Sequence, residues 1–140
     1  MRQNDLLLIA DFASRIAQES KAQRLKVGAV ALTSDGDIIC YGYNGTRRGS
    51  NNECEVLVDG ELVTKRGVIH AEENLIAHAA RRGVSLKNGI VVCTHSPCEH
   101  CANLLIQCGV KDFYFLEKFR IYDEVIASIG NDLSIKQIVK

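Results

Sequence analysis

A chain of 140 residues, 46% hydrophobic and 24% charged, is long enough to bury a core and has the balance of one globular domain spanning 1–140. Its 17 basic and 17 acidic residues cancel, so no global field draws it to polyanions, which argues against a nucleic-acid partner. The early apolar run Leu6–Ala10 is far too short to span a bilayer and no cleavage-like tail follows it, so a soluble, cytoplasmic protein without a membrane partner is expected.

In chain order, Asn4–Ser20 places Leu6, Ile9, Ala13 and Ile16 at helical spacing, with Asn4 as the expected cap. Val27–Thr33 and Asp37–Tyr43 are β-rich runs around Ser34-Asp35-Gly36, where Asp-Gly supplies the positive φ of a tight hairpin. Asn44–Glu55 is rich in Gly, Asn and Arg without period and reads as a surface loop of the kind that carries binding groups. Glu55–Thr64 repeats the hairpin pattern around Asp59-Gly60. There follow a helix from about His70 to Arg82, a strand Gly89–Cys93, a helix from about Cys98 to Cys108, a strand Asp112–Leu116, a helix Tyr122–Ile129 and a last strand Ser134–Val139. Strand–helix alternation predicts parallel pairing in this half, hence one mixed sheet with helices on both faces.

The six cysteines could form three disulfides in a secreted chain, but only Cys98 and Cys101 have the C-x-x-C spacing that holds a metal or does redox chemistry. Cys40, Cys93 and Cys108 fit a core, and Cys54 lies in the loop. His70 and Glu72 open one helix; Cys98 and Cys101 open the next behind Pro97. A helix N-terminus favours thiolates, and one imidazole with two thiolates leaves a fourth tetrahedral position for water, the arrangement of a catalytic zinc site. Glu72 is placed to take the proton of that water and to return it to a leaving group. The alternative is a pair of core cysteines with a cap-region histidine. His78 lies too far along its helix to join the metal, and His100 points to solvent or packs nearby.

His70-Ala71-Glu72, then residues 73–96, then Pro97-Cys98-Glu99-His100-Cys101 is the pattern of zinc nucleobase deaminases. The chain thus resembles the cytidine and deoxycytidylate deaminase superfamily. Val27–Glu55, with its VGAV strand, hairpin and G-Y-N-G loop ending in N-x-C-E, is similar to the deoxycytidylate (dCMP) deaminase branch. The resemblance implies a three-layer α/β/α fold with a five-stranded mixed sheet, a zinc ion on His70, Cys98 and Cys101, and hydrolysis of dCMP to dUMP for thymidylate synthesis.

It further implies substrate contacts from Asn44, Ala71, Ser96 and Phe119, with Arg24 and Arg120 at the phosphate. A guanidinium fork suits phosphate oxygens, although the commoner fate of an arginine is a solvated surface charge. Lys26 and Arg47-Arg48 are less favoured substitutes, and His95 could also line the pocket. The resemblance extends to a homo-oligomer, commonly a hexamer, activated by dCTP with Mg²⁺ and inhibited by dTTP, for which Gly45, Thr46, Gly49 and Glu61 are candidate effector residues. Arg47 stands where the family usually has proline, Glu53 where cysteine is common, and the segment from Glu55 to Ile69 is short. Alternatives are a deaminase of another nucleobase or nucleoside and a non-catalytic nucleotide-binding module; the latter predicts a lost proton shuttle, whereas Glu72 is present.

Overall fold

The computed structural model describes residues 1–140. A helix α1 (Gln3–Ala17) leads to strands β1 (Gly28–Leu32) and β2 (Ile38–Tyr43), then the hairpin β3 (Glu55–Val58) and β4 (Glu61–Thr64). Next come α2 (Ala71–Arg82), β5 (Ile90–His95), α3 (Glu99–Gln107), β6 (Asp112–Glu117), α4 (Tyr122–Ile129) and β7 (Ser134–Gln137). Five strands form one mixed sheet in the order β2-β1-β5-β6-β7, antiparallel at β2-β1-β5 and parallel from β5 to β7, as the strand–helix alternation predicts. The hairpin β3–β4 is a separate two-stranded sheet.

The side chains explain the layers. β1 is buried along its whole length, as a central strand covered on both faces must be. On one face, Leu6, Ile9, Ala10 and Ala13 of α1 pack on Val30, Leu32, Val92 and Ile90. On the other, Leu75 and Ala79 of α2, Leu105 of α3 and Val125 of α4 pack on Ala29, Ala31, Val91, Phe113 and Phe115. Alternate residues of β1 and β5 thus face opposite layers, the period-2 consequence of the pleat.

Two glycines set how closely helices approach the sheet. A Cβ at Gly28 would meet the Ala13 carbonyl oxygen at 2.2 Å, and one at Gly42 would meet the Ala71 oxygen and the Leu75 nitrogen at 2.5 Å each. Gly42 therefore lets the first turn of α2 lie directly on β2. At the hairpin tip Asp59 and Gly60 have φ of 52° and 83°, the two positive values that an Asp-Gly turn provides.

Three local expectations are corrected. α1 starts at Gln3 with Arg2 as its N-cap, without a side-chain cap bond, so Asn4 lies inside the helix; the Arg2 guanidinium instead binds the Asp5 carboxylate at 2.9 Å. His70 and Cys98 lie just before their helices as N-caps, with extended backbones at φ −71°, ψ 157° and φ −75°, ψ 166°. The third concerns the strand ending at the site: β5 runs on to His95 because its parallel partner β6 extends to Glu117 beside it. No helix is long and apolar enough to cross a membrane.

Candidate metal centre and its cavity

The carboxyl ends of the parallel strands β5 and β6 and the N-termini of α2 and α3 meet at one place, where ligands of open α/β sheets bind. Two N-caps and one residue of a first turn supply the donors there. Cys98 and His70 cap α3 and α2, and Cys101 lies inside the first turn of α3, fully buried. Cys98 Sγ lies 3.6 Å and Cys101 Sγ 3.3 Å from His70 Nδ1, and the three donor atoms all fall within 4.8 Å of one another. Tetrahedral zinc with ordinary Zn–S and Zn–N bonds needs S···N separations of about 3.6 Å. The spacing and the soft N/S₂ donor set therefore fit zinc.

The electrostatics of the three donors are coupled. Hydrogen bonding from Cys101 brings the Cys98 thiol down to about 4, against the opposing pull of burial and with help from His70. The Cys98 sulfur in turn raises His70 to about 9, while hydrogen bonding to Cys98 and burial push Cys101 upward. A cation must displace the protons held in this cluster, as metal binding to thiol and imidazole sites does.

Two further groups fix the helix mouths. Glu73 Oε1 accepts a hydrogen bond from the His70 backbone N–H at 2.8 Å, closing α2 as a Glu at the third helical position does. Its Oε2 lies 3.2 Å from His100 Nε2 on α3. His100 thus faces Glu73 and stands outside the donor set, and so does His78, which sits against the Tyr41 carbonyl of β2 at 3.0 Å.

Glu72 is only 5% exposed and lines the cavity beside the donors. Burial raises its carboxyl to about 7, in the range where a group can both take and give a proton near neutrality. The cavity holds about 490 Å³, the size class of a small-molecule site. His70, Ala71, Glu72, Ser96 and Cys98 line it, and so do Asn44, Phe119, Arg24 and Arg120. The serine is structural too: Ser96 Oγ accepts from the Phe119 N–H at 2.7 Å and the Ser96 N–H donates to the Glu117 carbonyl at 3.0 Å, fixing the segment after β6.

Asn44 is engaged with the backbone: its Oδ1 accepts from the Val27 N–H at 2.9 Å and its Nδ2 donates to the Leu25 carbonyl at 2.8 Å. The amide clamps residues 25–27 while keeping a face on the cavity. His95 also lines the cavity, hydrogen-bonded to Thr94 Oγ1 at 2.8 Å and held below its ordinary pKa by burial.

Lys118, which belongs to no motif in the sequence, joins Arg24 and Arg120 on this cavity. The signal lay in its position, immediately after a parallel strand at the sheet's carboxyl edge. Lys26 is absent from the lining, and Arg47 and Arg48 line a second cavity of about 650 Å³ on the other side of the loop. Gly45, Thr46 and Gly49 belong to that second cavity, whereas Glu61 lies at the hairpin and does not. The Thr46 hydroxyl is buried without a hydrogen-bond partner. Asn44 and Cys54 line both cavities.

The family model described as "Cytidine and deoxycytidylate deaminase zinc-binding region" matches residues 4–117. Deoxycytidylate deaminase of Enterobacteria phage T4 is 30% identical over 87% of this chain and 84% of its own length. The Homo sapiens deoxycytidylate deaminase is 32% identical over 80% of this chain and 65% of its own. Among solved structures, the dCMP deaminase of cyanophage S-TIM5, in complex with dCMP and dUMP, is similar with a TM-score of 0.86 and 32% identity, covering 98% of both chains.

Proposed function

The chain belongs to the cytidine and deoxycytidylate deaminase family, and from that premise we propose that it hydrolyses dCMP to dUMP and ammonia, as one catalytic domain across residues 1–140. One observation carries the reading: the three donors and a buried glutamate share a cavity that also has Arg24, Lys118 and Arg120 on it. Such a site combines activation of water with recognition of an anionic group.

Zinc, when held by His70, Cys98 and Cys101, supplies a Lewis acid that lets water ionise near neutral pH. Glu72 accepts the proton as the water oxygen adds to C4 of the cytosine, and delivers it to ring nitrogen N3. It then takes the proton of the new hydroxyl and gives it to the C4 amine, so the C–N bond breaks and ammonia leaves. Glu72 ends the cycle as it began, and the ring keeps the N3 proton and a C4 carbonyl. Burial suits the carboxyl to this work by bringing it to about 7, so that neither protonation state is strongly disfavoured. Asn44, Ala71, Ser96 and Phe119, which line the cavity, are assigned to base and sugar, and the cations on it to the phosphate.

Regulation and assembly complete the reading. Activation by dCTP with Mg²⁺ and inhibition by dTTP are assigned to the second cavity, whose Arg47, Arg48 and Arg81 suit a polyphosphate. A homo-oligomer, a hexamer by family likeness, is supported by Ile38, Tyr41 and Tyr43, exposed on the edge strand β2. Six unpaired cysteines suit the reducing cytoplasm, where the product would supply thymidylate synthesis.

A substrate panel of dCMP, deoxycytidine, dCTP, guanine and a single-stranded oligonucleotide, run with and without dCTP and dTTP, tests the substrate and the effectors. Preferred turnover of dCMP supports the assignment. Equal rates with deoxycytidine would remove the phosphate from the argument, and insensitivity to the triphosphates would remove the effector site.

A further inference from the structure

Arg24 belongs to a stretch, residues 18–27, that joins α1 to β1 without helix or strand. Local bonds hold only its start, where Ser20 Oγ accepts from the Ala22 N–H at 3.2 Å; the contacts that hold residues 23–27 come from elsewhere in the chain. Asn44 grips its far end, at Leu25 and Val27. The middle is gripped by the hairpin: Glu55 Oε2 accepts hydrogen bonds from the backbone N–H groups of both Gln23, at 2.9 Å, and Arg24, at 3.0 Å. Thr64 Oγ1 accepts a third from Arg24 Nη1 at 3.2 Å.

Glu55 and Thr64 are directly paired residues at the open end of β3–β4. The base of the hairpin thus holds Arg24 twice, once by its backbone and once by its guanidinium, and all three residues line the cavity.

We infer that Glu55 and Thr64 are positioning residues that set the Arg24 guanidinium for the substrate's phosphate and so give the enzyme its preference for a nucleoside monophosphate over the free nucleoside. This rests on the deamination of dCMP proposed above. A carboxylate beside an anion-binding site would by itself repel the phosphate. Here Glu55 Oε2 accepts from two backbone amides and fixes the main chain at Arg24, while Thr64 Oγ1 holds the guanidinium, so the donor fork is set before the ligand arrives and binding is spared the cost of ordering it.

The two roles of Glu55 predict opposite signs, which makes the test sharp. The quantity to measure is kcat/KM for dCMP divided by kcat/KM for deoxycytidine, in zinc-loaded wild type, Glu55→Ala, Glu55→Gln, Thr64→Val and Thr64→Ser, with zinc content recorded for each. The ratio should fall about tenfold in Glu55→Ala and several-fold in Thr64→Val, carried by KM for dCMP. Glu55→Gln and Thr64→Ser keep an acceptor oxygen and should return most of the preference, which loss of fold or of bulk would not allow. Thr64 is exposed and valine suits a strand, so that variant reports even if Glu55→Ala folds poorly. An unchanged or increased ratio in Glu55→Ala and Thr64→Val overturns the inference while leaving dCMP deamination in place. A wild type that turns over both substrates equally overturns both.

Discussion

The metal-bearing wall and the β3–β4 hairpin border the same cavity but are built on opposite terms. On the wall, each donor belongs to a helix N-terminus seated on the sheet by residues such as Leu75, Ala102 and Leu105 that are fully buried, and Gly42 leaves no room for displacement. The hairpin touches the cavity only through its base; Val56, Leu57, Val58, Leu62 and Val63 are all exposed. A two-stranded ribbon of this kind draws little stability from itself. The metal donors, whose chemistry needs atoms held to tenths of an ångström, are thus placed on the packed layers, whereas Arg24 is held at the cavity by a lighter element tied on by hydrogen bonds.

The wall should fail most completely when a donor is lost. Cys101→Ala is expected to bring bound zinc from about one per chain to near none, measured by metal analysis, with deamination at background. A variant that still held zinc and turned over dCMP would show that the tripod is not the metal centre. Removing Glu72 breaks the chemistry while sparing the metal: Glu72→Gln should keep its zinc and lose about 10²–10⁴-fold in kcat, read by the absorbance change of the cytosine ring. Retained turnover would move the proton shuttle elsewhere.

The seat of the wall is tested at Gly42. A methyl group there must push against the backbone of Ala71 and Leu75, so Gly42→Ala should cost about 3 kcal/mol and lower the melting temperature by roughly 10 °C. An unchanged melting temperature would mean that α2 is free to shift, and that the donors on it are less fixed than the packing implies.

The same contrast governs what the sequence reveals. The wall is legible because each of its parts obeys a spacing: helical period, strand alternation, H-x-E at one helix mouth, and P-C-x-x-C at the next. The hairpin itself is legible from Asp59-Gly60, since a tight turn demands positive φ. Its function is not, because Glu55 reaches Gln23 and Arg24 across 32 and 31 residues, and a side chain bound to a backbone amide leaves no pattern in either segment. Asn44 is half legible for a related reason: its place in the loop marks it as a residue of the cavity, but its bonds to Leu25 and Val27 leave no pattern in the sequence. Lys118 is a charge like any other until the end of β6 places it on the cavity. Asn4 fails as a cap because the helix begins at Gln3, two residues before an Asn4-capped start, with Arg2 and Asp5 paired across its first turn.

The smallest effect is expected on the outer faces of the hairpin, and it bears on the comparison most directly. Leu57 is 68% exposed in the single chain, so Leu57→Ser removes little packing and should change stability by no more than about 0.5 kcal/mol, by chemical denaturation. Substrate preference should also be kept, because the base at Glu55 and Thr64 is untouched. A larger loss of stability, together with a lower sedimentation coefficient, would mean that the exposed valines and leucines are covered by another copy of the chain. The hairpin would then be held from both ends, by Arg24 within its own subunit and by a neighbour outside it, and the positioning of the phosphate would depend on assembly.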